Sequence, residues 1–380
     1  MRLKYNSTKI VNFENLVIFL LLFFIIITNN YFGENEINAS ARSSEYYLKI
    51  AAAFPDVAKF SDDSQTYIHG ERFLVSYFIG FLSTIFNIEI FSLFRILSYS
   101  FIVYIIFLNF KIINLLITKS NSKIIFFSLV ILNPYIIRYF LSNPIMLNDL
   151  IFILSISLLF LSFIKTKDYI FYISIILAVI SRQTSLVILL ALFIYLILPL
   201  SKDFINYKKF FLSLLIYLIN YFISKYYLNI ANLNDFYDSN IFGLINYFKN
   251  SEDYLALLNF LILPILSFGP LLIFLFIKLT KYELKIKFDK KYFFFVIVLL
   301  GIVAQPIIAG PLVTGKNIIR LSSLGYYVSI FLFCAHLKNF EISSRKFKII
   351  FISFLILWSL HPTFSKVNIF DGLKQFIIFN

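Results

Sequence analysis

The sequence predicts an all-α protein, a polytopic membrane helix bundle of about eleven transmembrane helices in a single domain, 1–380. Of the 380 residues, 60% are hydrophobic and only 14% are charged, whereas a soluble domain is usually about one-quarter charged. Apolar runs recur along the whole chain, and most Lys residues lie between them. The net charge of +14 does not indicate nucleic-acid binding, because no nucleic-acid-binding motif accompanies it.

The apolar runs define the predicted spans, because a hydrocarbon core of about 30 Å requires roughly 20 apolar residues of helix. Arg182 and Gln183 interrupt one long apolar run, which predicts two short spans. The ambiguous stretch 73–91 is predicted to lie along the membrane surface, since 71–87 has a polar start and an apolar body. The predicted spans are 14–32, 92–115, 124–141, 147–164, 169–181, 184–200, 210–229, 255–277, 292–309, 321–337 and 347–362.

Charge predicts the orientation of these spans. With the N-terminus in the cytoplasm, most Lys and Arg residues fall on the cytoplasmic side, in agreement with the positive-inside rule. The basic lead and first apolar run lack a small-residue cleavage pattern, so a retained span is expected rather than a cleaved signal peptide. We expect a protein of the cytoplasmic membrane, with its C-terminus outside and two long outer loops at 33–91 and 230–254.

Ionisable residues near the span ends are the candidate functional residues, because each costs about 2.5–3.5 kcal/mol at the bilayer centre. All lie on the predicted outer side. Arg138 and Asp149 bracket the turn after the third span, and Asp149 is explained either by the dipole of the next helix or by an outer cavity. Arg182, beside Gln183, either reaches the membrane surface or faces the bundle interior and binds an anion.

Two further groups of polar residues lie on the same side. Lys316, Asn317 and Arg320 follow a Gly- and Pro-containing bend. Helix spacing places the two cations on one face, beside free N–H groups that favour a phosphate; the alternative is a pair of surface cations. In the first loop, Glu45 and His69 are either reactive groups or ordinary loop and interface residues.

No Walker A, G-x-S-x-G, H-E-x-x-H or C-x-x-C motif occurs in the chain. Soluble nucleotide-dependent catalysis therefore has no support. Any donor activated for chemistry on the outer side is expected to be carried by a lipid.

The order of these features resembles the GT-C superfamily of integral-membrane glycosyltransferases, which includes aminoarabinose transferases and protein mannosyltransferases. A short lead, one span, a long acidic outer loop and a ladder of spans extend the resemblance over the whole chain. The family usually has an acidic residue where this chain has Ser43 and Ser44, so Glu45 or Glu36 would replace it. The segments that carry the resemblance are Glu45–Ala51, Tyr67–Phe73, Asn148-Asp149, Ser181–Thr184 and Asn317–Arg320.

The resemblance implies transfer of a sugar from a polyprenyl-phosphate donor in cell-envelope glycan or glycolipid assembly. Glu45, or else Glu36, would act as general base, and Asp149 would orient the acceptor or help hold a divalent cation. Such a cation, Mg²⁺ or Mn²⁺, serves some branches of the family, but no tight metal site is expected here. The donor phosphate would be bound by Arg182, Lys316 and Arg320. Further substrate contacts are expected from His69, Arg72, Arg138, Gln183 and Asn317.

Two other functions stay open at this point. One is a polysaccharide polymerase or O-antigen ligase, although the long loop of those proteins usually falls late in the chain. The other is a transporter or flippase of a lipid-linked substrate. Transporters tend to show paired repeats and broken helices near mid-membrane, whereas this sequence shows no repeat and its polar residues cluster at the predicted outer end.

Overall fold

The computed structural model describes residues 16–28, 44–60, 69–117, 120–198, 204–231, 254–281, 290–314, 318–336 and 345–360. The regular structure in these ranges is helical, with no strand, which confirms the predicted all-α class. In chain order the helices are α1 (Leu16–Thr28), α2 (44–52), α3 (Phe73–Phe86), α4 (Ile90–Leu116), α5 (Ser120–Ile131), α6 (Tyr139–Ser142), α7 (Leu147–Lys165), α8 (Asp168–Ser181), α9 (Leu186–Ile197), α10 (Tyr207–Ile230), α11 (Tyr254–Ser267), α12 (Gly269–Lys281), α13 (Phe293–Thr314), α14 (Ile318–Ser323), α15 (Tyr326–His336) and α16 (Arg345–Ser359).

Six stretches of the described residues are long and apolar enough to cross a membrane. They indicate a multi-pass membrane protein, although the sequence predicts eleven spans. Helices α1, α8 and α9 form at predicted spans but are shorter than the roughly 20 residues that cross a hydrocarbon core. The predicted span 255–277 is divided between α11 and α12 at Phe268. The six stretches are Ile90–Leu116, Ser122–Ser142, Leu147–Lys165, Tyr207–Ile230, Lys290–Gly310 and Ile318–His336.

Helix α7 is the centre of the bundle. It packs against α4, α8 and α15, and 89% of its apolar window is buried inside the protein, against 22% for α10. Helix α10 instead exposes large apolar side chains such as Phe222 and Tyr226. An apolar helix buried on all sides is typical of a bundle core, whereas an apolar exposed face suits contact with lipid.

The connection between α7 and α8 places several chain segments at one end of the bundle. Only Thr166 and Lys167 join the two helices, and Thr166 adopts a left-handed conformation with φ 51°. The helices therefore run antiparallel, so the first residues of α7 lie at the same end as the last residues of α8. Asp149 and Arg182 occupy these two positions.

A π-helical turn, Pro134–Arg138, separates α5 from α6. The side chain of Asn133 accepts a hydrogen bond from the backbone N–H of Tyr135 at 2.9 Å and so caps the turn. Such turns are rare and insert an extra residue into the helical repeat. The insertion changes which residues of this segment face the bundle interior.

Helix α2 docks closely on α3 at a glycine. A Cβ atom on Gly80 would lie 2.7 Å from Cβ of Phe54 and would also overlap the carbonyl oxygen of Ala51. Tyr77 of α3 donates a hydrogen bond to the carbonyl oxygen of Pro55. This packing holds α2, and with it Tyr47, beside the start of α3.

Candidate functional site

Asp149, Arg182 and Arg320 meet in a buried cluster at one end of the bundle. Nη1 of Arg182 donates a hydrogen bond to Oδ1 of Asp149, and Nη1 of Arg320 lies 3.7 Å from Oδ2 of the same carboxylate. The relative exposure of the three residues is only 2–8%. The structure thus brings together three ionisable residues that the sequence analysis selected from three separate segments.

The ends of three helices place these side chains. Asp149 lies in the first turn of α7, where the helix dipole favours a negative charge. Arg182 follows α8 in an extended conformation, with φ −155° and ψ 146°, and a short 3₁₀ turn, Gln183–Ser185, then leads into α9. Arg320 lies in the short helix α14. The extended residue turns the guanidinium of Arg182 toward α7 instead of continuing the face of α8.

Aromatic hydroxyl groups border the cluster. Nη1 of Arg320 donates a hydrogen bond of 2.8 Å to the hydroxyl oxygen of Tyr139, and the guanidinium carbon lies 5.6 Å from the centre of the ring. Tyr139 directly follows the π turn. Tyr47 of α2 is fully buried and is close enough to interact electrostatically with Arg182 and Arg320.

A third guanidinium reaches the cluster from the turn before α3. Nε of Arg72 donates a hydrogen bond of 2.6 Å to Oε1 of Gln183, and Nε2 of Gln183 donates to Oε2 of Glu71. The charges of Arg72, Arg182 and Arg320 all act on the carboxylate of Asp149. Two cations therefore contact this buried anion, a third acts on it from the turn before α3, and Glu71 is the second carboxylate beside them.

The backbone of the same turn is tied to two other helices. Nδ2 of Asn148 donates to the carbonyl oxygen of Arg72 at 3.4 Å, and Oγ of Ser224 in α10 donates to that of Glu71 at 3.2 Å. These contacts hold Glu71 and Arg72 next to the start of α7 and beside α10.

His69 is a half-buried neutral residue at the edge of the cluster. Its ring stacks on Tyr46 with centroids 5.2 Å apart and meets Tyr47 edge-on at 4.9 Å. Burial, followed by the charge of Arg72, lowers the pKa of His69 from 6.5 to about 3. At neutral pH the imidazole is uncharged, so it does not add to the positive charge of the cluster.

Several buried polar atoms of the cluster have no hydrogen-bond partner among the residues that the structure describes. Such atoms are few in native proteins and call for an explanation. Three of them belong to groups that form part of the ion cluster, and two to its nearest neighbours. They are Oδ2 of Asp149, Nε of Arg182, Nε of Arg320, Nδ1 of His69 and Oδ1 of Asn148. An excess of guanidinium N–H groups in this position is suited to an anionic ligand.

The predicted general base Glu45 does not face the cluster. Its side chain is 63% exposed and pairs with Nζ of Lys49 at 3.1 Å on the surface of α2. Tyr47 lies two residues further along, which is a rotation of about 200° around the helix, and it is Tyr47 that is buried beside the arginines. Glu45 and Tyr47 therefore lie on different faces of α2, and the face of Tyr47 is the one turned toward the cluster.

Arg138 has a different environment from the one expected for a substrate contact. It is 1% exposed and lies in the π turn. Its Nη1 donates a hydrogen bond to the carbonyl oxygen of Ser359 at the end of α16, so the guanidinium joins two segments of the bundle. Three other predicted site residues, Glu36, Lys316 and Asn317, lie outside the described residues.

Glu71, Tyr139 and Tyr47 are part of the site but were absent from the predicted set. Glu71 was visible in the sequence as an acid beside His69 and Arg72, within one of the segments that carry the family resemblance. No comparable signal marked the two tyrosines in a chain that contains 25 of them.

Among the described ranges, no three His, Cys, Asp or Glu side chains form a group that could hold a metal ion. None of the protein-family models, curated proteins or solved structures compared with this chain matches it.

Proposed function

We propose that this protein is an integral-membrane glycosyltransferase that takes its sugar from a polyprenyl-phosphate donor in cell-envelope glycan or glycolipid assembly. The observation that carries the proposal is the buried cluster in which the guanidinium groups of Arg182 and Arg320 share Asp149, with the charge of Arg72 acting on the same carboxylate. Its surplus positive charge suits a phosphate. A phosphate anchored to a membrane lipid is an anion that can reach the end of an apolar bundle from the bilayer.

Arg182 and Arg320 stabilise the charge that develops on the donor phosphate as its bond to the sugar breaks. Lys316 and Asn317, which precede Arg320 in the sequence, bind the same phosphate. In the transfer step, a hydroxyl or amine of the acceptor attacks the anomeric carbon and the carbon–oxygen bond to the phosphate breaks. The polyprenyl phosphate leaves with the electron pair, and a carboxylate takes the acceptor proton.

Glu71 is a better general base than Glu45. It is held by Gln183 beside the arginines, whereas Glu45 pairs with Lys49 on an exposed face. His69 and Arg72 contact the substrate from the same turn. No step is assigned to a divalent cation, Mg²⁺ or Mn²⁺.

The proposed topology has eleven spans, a cytoplasmic N-terminus and the cluster on the outer side of the cytoplasmic membrane. Two observations support it. The positive charge of the sequence collects in the segments that this topology makes cytoplasmic, and α3 carries exposed apolar side chains such as Phe78, Ile85 and Phe86. In this arrangement α3 lies in the interface with that face toward the lipid.

Mass spectrometry of cell-envelope glycans and polyprenyl-phosphate sugars, with and without the gene, tests the proposal. We expect a monosaccharide donor to accumulate without the protein and to return to its normal level when the wild-type protein is supplied. Arg182→Gln should fail to restore that level. Arg95→Gln is the matched control, because Arg95 is an exposed arginine stacked on Phe91, with its guanidinium 4.8 Å from the ring centre.

Other outcomes of the same experiment would reject the proposal. Accumulation of an oligosaccharide repeat unit would indicate a polymerase or ligase. Unchanged donors and glycans would favour a transporter. If Arg182→Gln and Arg95→Gln restored the donor level equally well, the cluster would not be required for the activity.

A further inference from the structure

We propose that Asp149 is an internal counterion: it holds Arg182 and Arg320 in position before a ligand binds, and a phosphate group displaces it from them. The inference rests on the anion site of the proposed function but not on the transfer reaction. It makes Asp149 a positioning residue whose carboxylate competes with the ligand.

The ion cluster is only partly hydrogen-bonded. Oδ1 of Asp149 accepts from Arg182. Oδ2 lies 3.7 Å from Nη1 of Arg320 and accepts no hydrogen bond from the described residues. A buried carboxylate with a permanent structural role normally has its remaining oxygen satisfied, because an unsatisfied buried acceptor is unfavourable. The contact between Asp149 and Arg320 is therefore one that can be exchanged.

Both arginines retain donors for a second acceptor. Arg182 and Arg320 are 4% and 8% exposed, and their Nε atoms have no partner in the described parts of the chain. Nη1 of Arg320 donates its hydrogen bond of 2.8 Å to the hydroxyl oxygen of Tyr139. Guanidinium groups bind phosphate through paired N–H groups, so these free donors match a phosphate better than they match one carboxylate.

The negative charge of Asp149 explains why it competes with a phosphate for the arginines. The charges of Arg72, Arg182 and Arg320 act on Asp149. The carboxylate cancels part of their positive charge, so the net charge that a ligand meets is positive but smaller than that of the three arginines. A phosphate in contact with the two buried arginines is repelled by a carboxylate a few ångströms away. Removing that carboxylate charge should therefore strengthen phosphate binding, whereas removing an ordinary ligand contact would weaken it.

The test measures binding of inorganic phosphate to the full chain in nanodiscs of zwitterionic lipid by titration calorimetry. For Asp149→Asn we expect a Kd lower than that of the wild type by roughly ten- to a hundredfold, from the loss of one like charge at short range. Asp149→Glu keeps the charge and should show no such gain. Equal or weaker binding of both inorganic phosphate and the polyprenyl monophosphate titrated below, by folded Asp149→Asn, would overturn the inference.

Asp149→Asn removes the negative charge that the arginines share, which can destabilise the fold. The folding of this variant therefore needs a separate measurement. We expect phosphate to raise its thermal unfolding midpoint far more than that of the wild type. A second measurement uses the wild type alone, labelled with ¹³C at the aspartate carboxyl carbons. Saturation with inorganic phosphate or with a polyprenyl monophosphate should shift an aspartate carboxylate band in the infrared difference spectrum. A band that neither ligand shifts would overturn the inference even if the variant does not fold.

The source of the phosphate is resolved by a parallel titration with nanodiscs that contain a polyprenyl monophosphate. A gain for Asp149→Asn with this lipid but not with inorganic phosphate identifies a lipid headgroup as the ligand, and the reverse identifies a free anion. Stronger phosphate binding without sugar transfer would keep this inference and reject the transferase. Sugar transfer by the wild type, without stronger phosphate binding by Asp149→Asn, would keep the transferase and reject this inference.

Discussion

The two ends of α8 each hold a buried cation beside an aspartate, but the two arrangements differ in completeness. At one end, Nζ of Lys209 pairs with Oδ1 of Asp168 at 2.8 Å and donates to the carbonyl oxygen of Phe204 at 2.6 Å. It also lies 3.4 Å from the centre of the Phe204 ring. At the other end, Arg182 and Arg320 share Asp149 and keep donors without partners in the described residues.

The difference separates a structural ion pair from a site. The pair of Lys209 and Asp168 is balanced, and the Asp168 side chain is 67% exposed, so water solvates its carboxylate. The Asp149 cluster has more cations than anions and is buried on all sides. Buried polar groups that remain unsatisfied in a native protein suggest a role outside folding, and the surplus of donors indicates which charge the ligand carries.

The largest expected effect comes from removing each aspartate in turn. Asp149→Ala should lower the free energy of unfolding by about 3–5 kcal/mol, because it leaves buried cations without their partner. Asp168→Ala should lower it by less than about 1 kcal/mol, because the lost carboxylate is largely exposed and Lys209 keeps the carbonyl oxygen and the ring of Phe204. Denaturant titrations of both variants in the same detergent measure the difference, and similar losses would remove the distinction between the two ends.

Removing each cation tests function rather than stability. Arg182→Met should reduce the rate of sugar transfer by about 100-fold or more, as expected for loss of a group that stabilises developing charge. Lys209→Met keeps the apolar stem that packs on Phe204 and should change the rate by less than about twofold. Transfer assays on purified variants with matched melting behaviour decide the question, and a large loss in Lys209→Met would contradict it.

A packing change beside the cluster should have a smaller effect. Gly80→Ala places a methyl group against the carbonyl oxygen of Ala51 and Cβ of Phe54, which should destabilise the docking of α2 by about 1–3 kcal/mol. Gly301→Ala, which introduces a methyl group against Val187, is the matched control away from α2. Hydrogen exchange should increase in 44–54 for the first variant only.

The smallest effect concerns pH. The pKa of His69 is lowered to about 3 in the folded protein, mainly by burial, from 6.5. Between these values the unfolded chain binds the extra proton, so His69 makes the folded state less stable as pH falls from 6.5 toward 3. His69→Gln should flatten the dependence of the unfolding midpoint on pH in this window. Equal slopes for the two proteins would show that His69 is not buried as described.

The sequence predicted the helical class and three members of the site for a simple reason. Consecutive apolar helices joined by short connections run in opposite directions. Asp149 begins the first helix of one hairpin and Arg182 ends the second, so the two residues had to lie at the same end. Arg320 was placed there by the same counting of spans. Long-range alternation of this kind depends only on the number and length of the runs.

The features that the sequence did not predict depend on rotation about a helix axis. Glu45 and Tyr47 are only two residues apart on α2, yet Glu45 lies on the exposed face and Tyr47 on the buried face. The π turn before Tyr139 changed the phase of its segment, which placed Arg138 against Ser359 and Tyr139 against Arg320. A membrane sequence with apolar residues on all helix faces carries little information about such rotations.

The short α7–α8 hairpin has a consequence for biogenesis. Asp149 and Arg182 are separated by only 33 residues, so both leave the ribosome close together and can enter the bilayer as a neutral pair. Each alone would oppose insertion. Arg320 follows Arg182 in the sequence by 320 − 182 = 138 residues, so it is synthesised after both members of this pair.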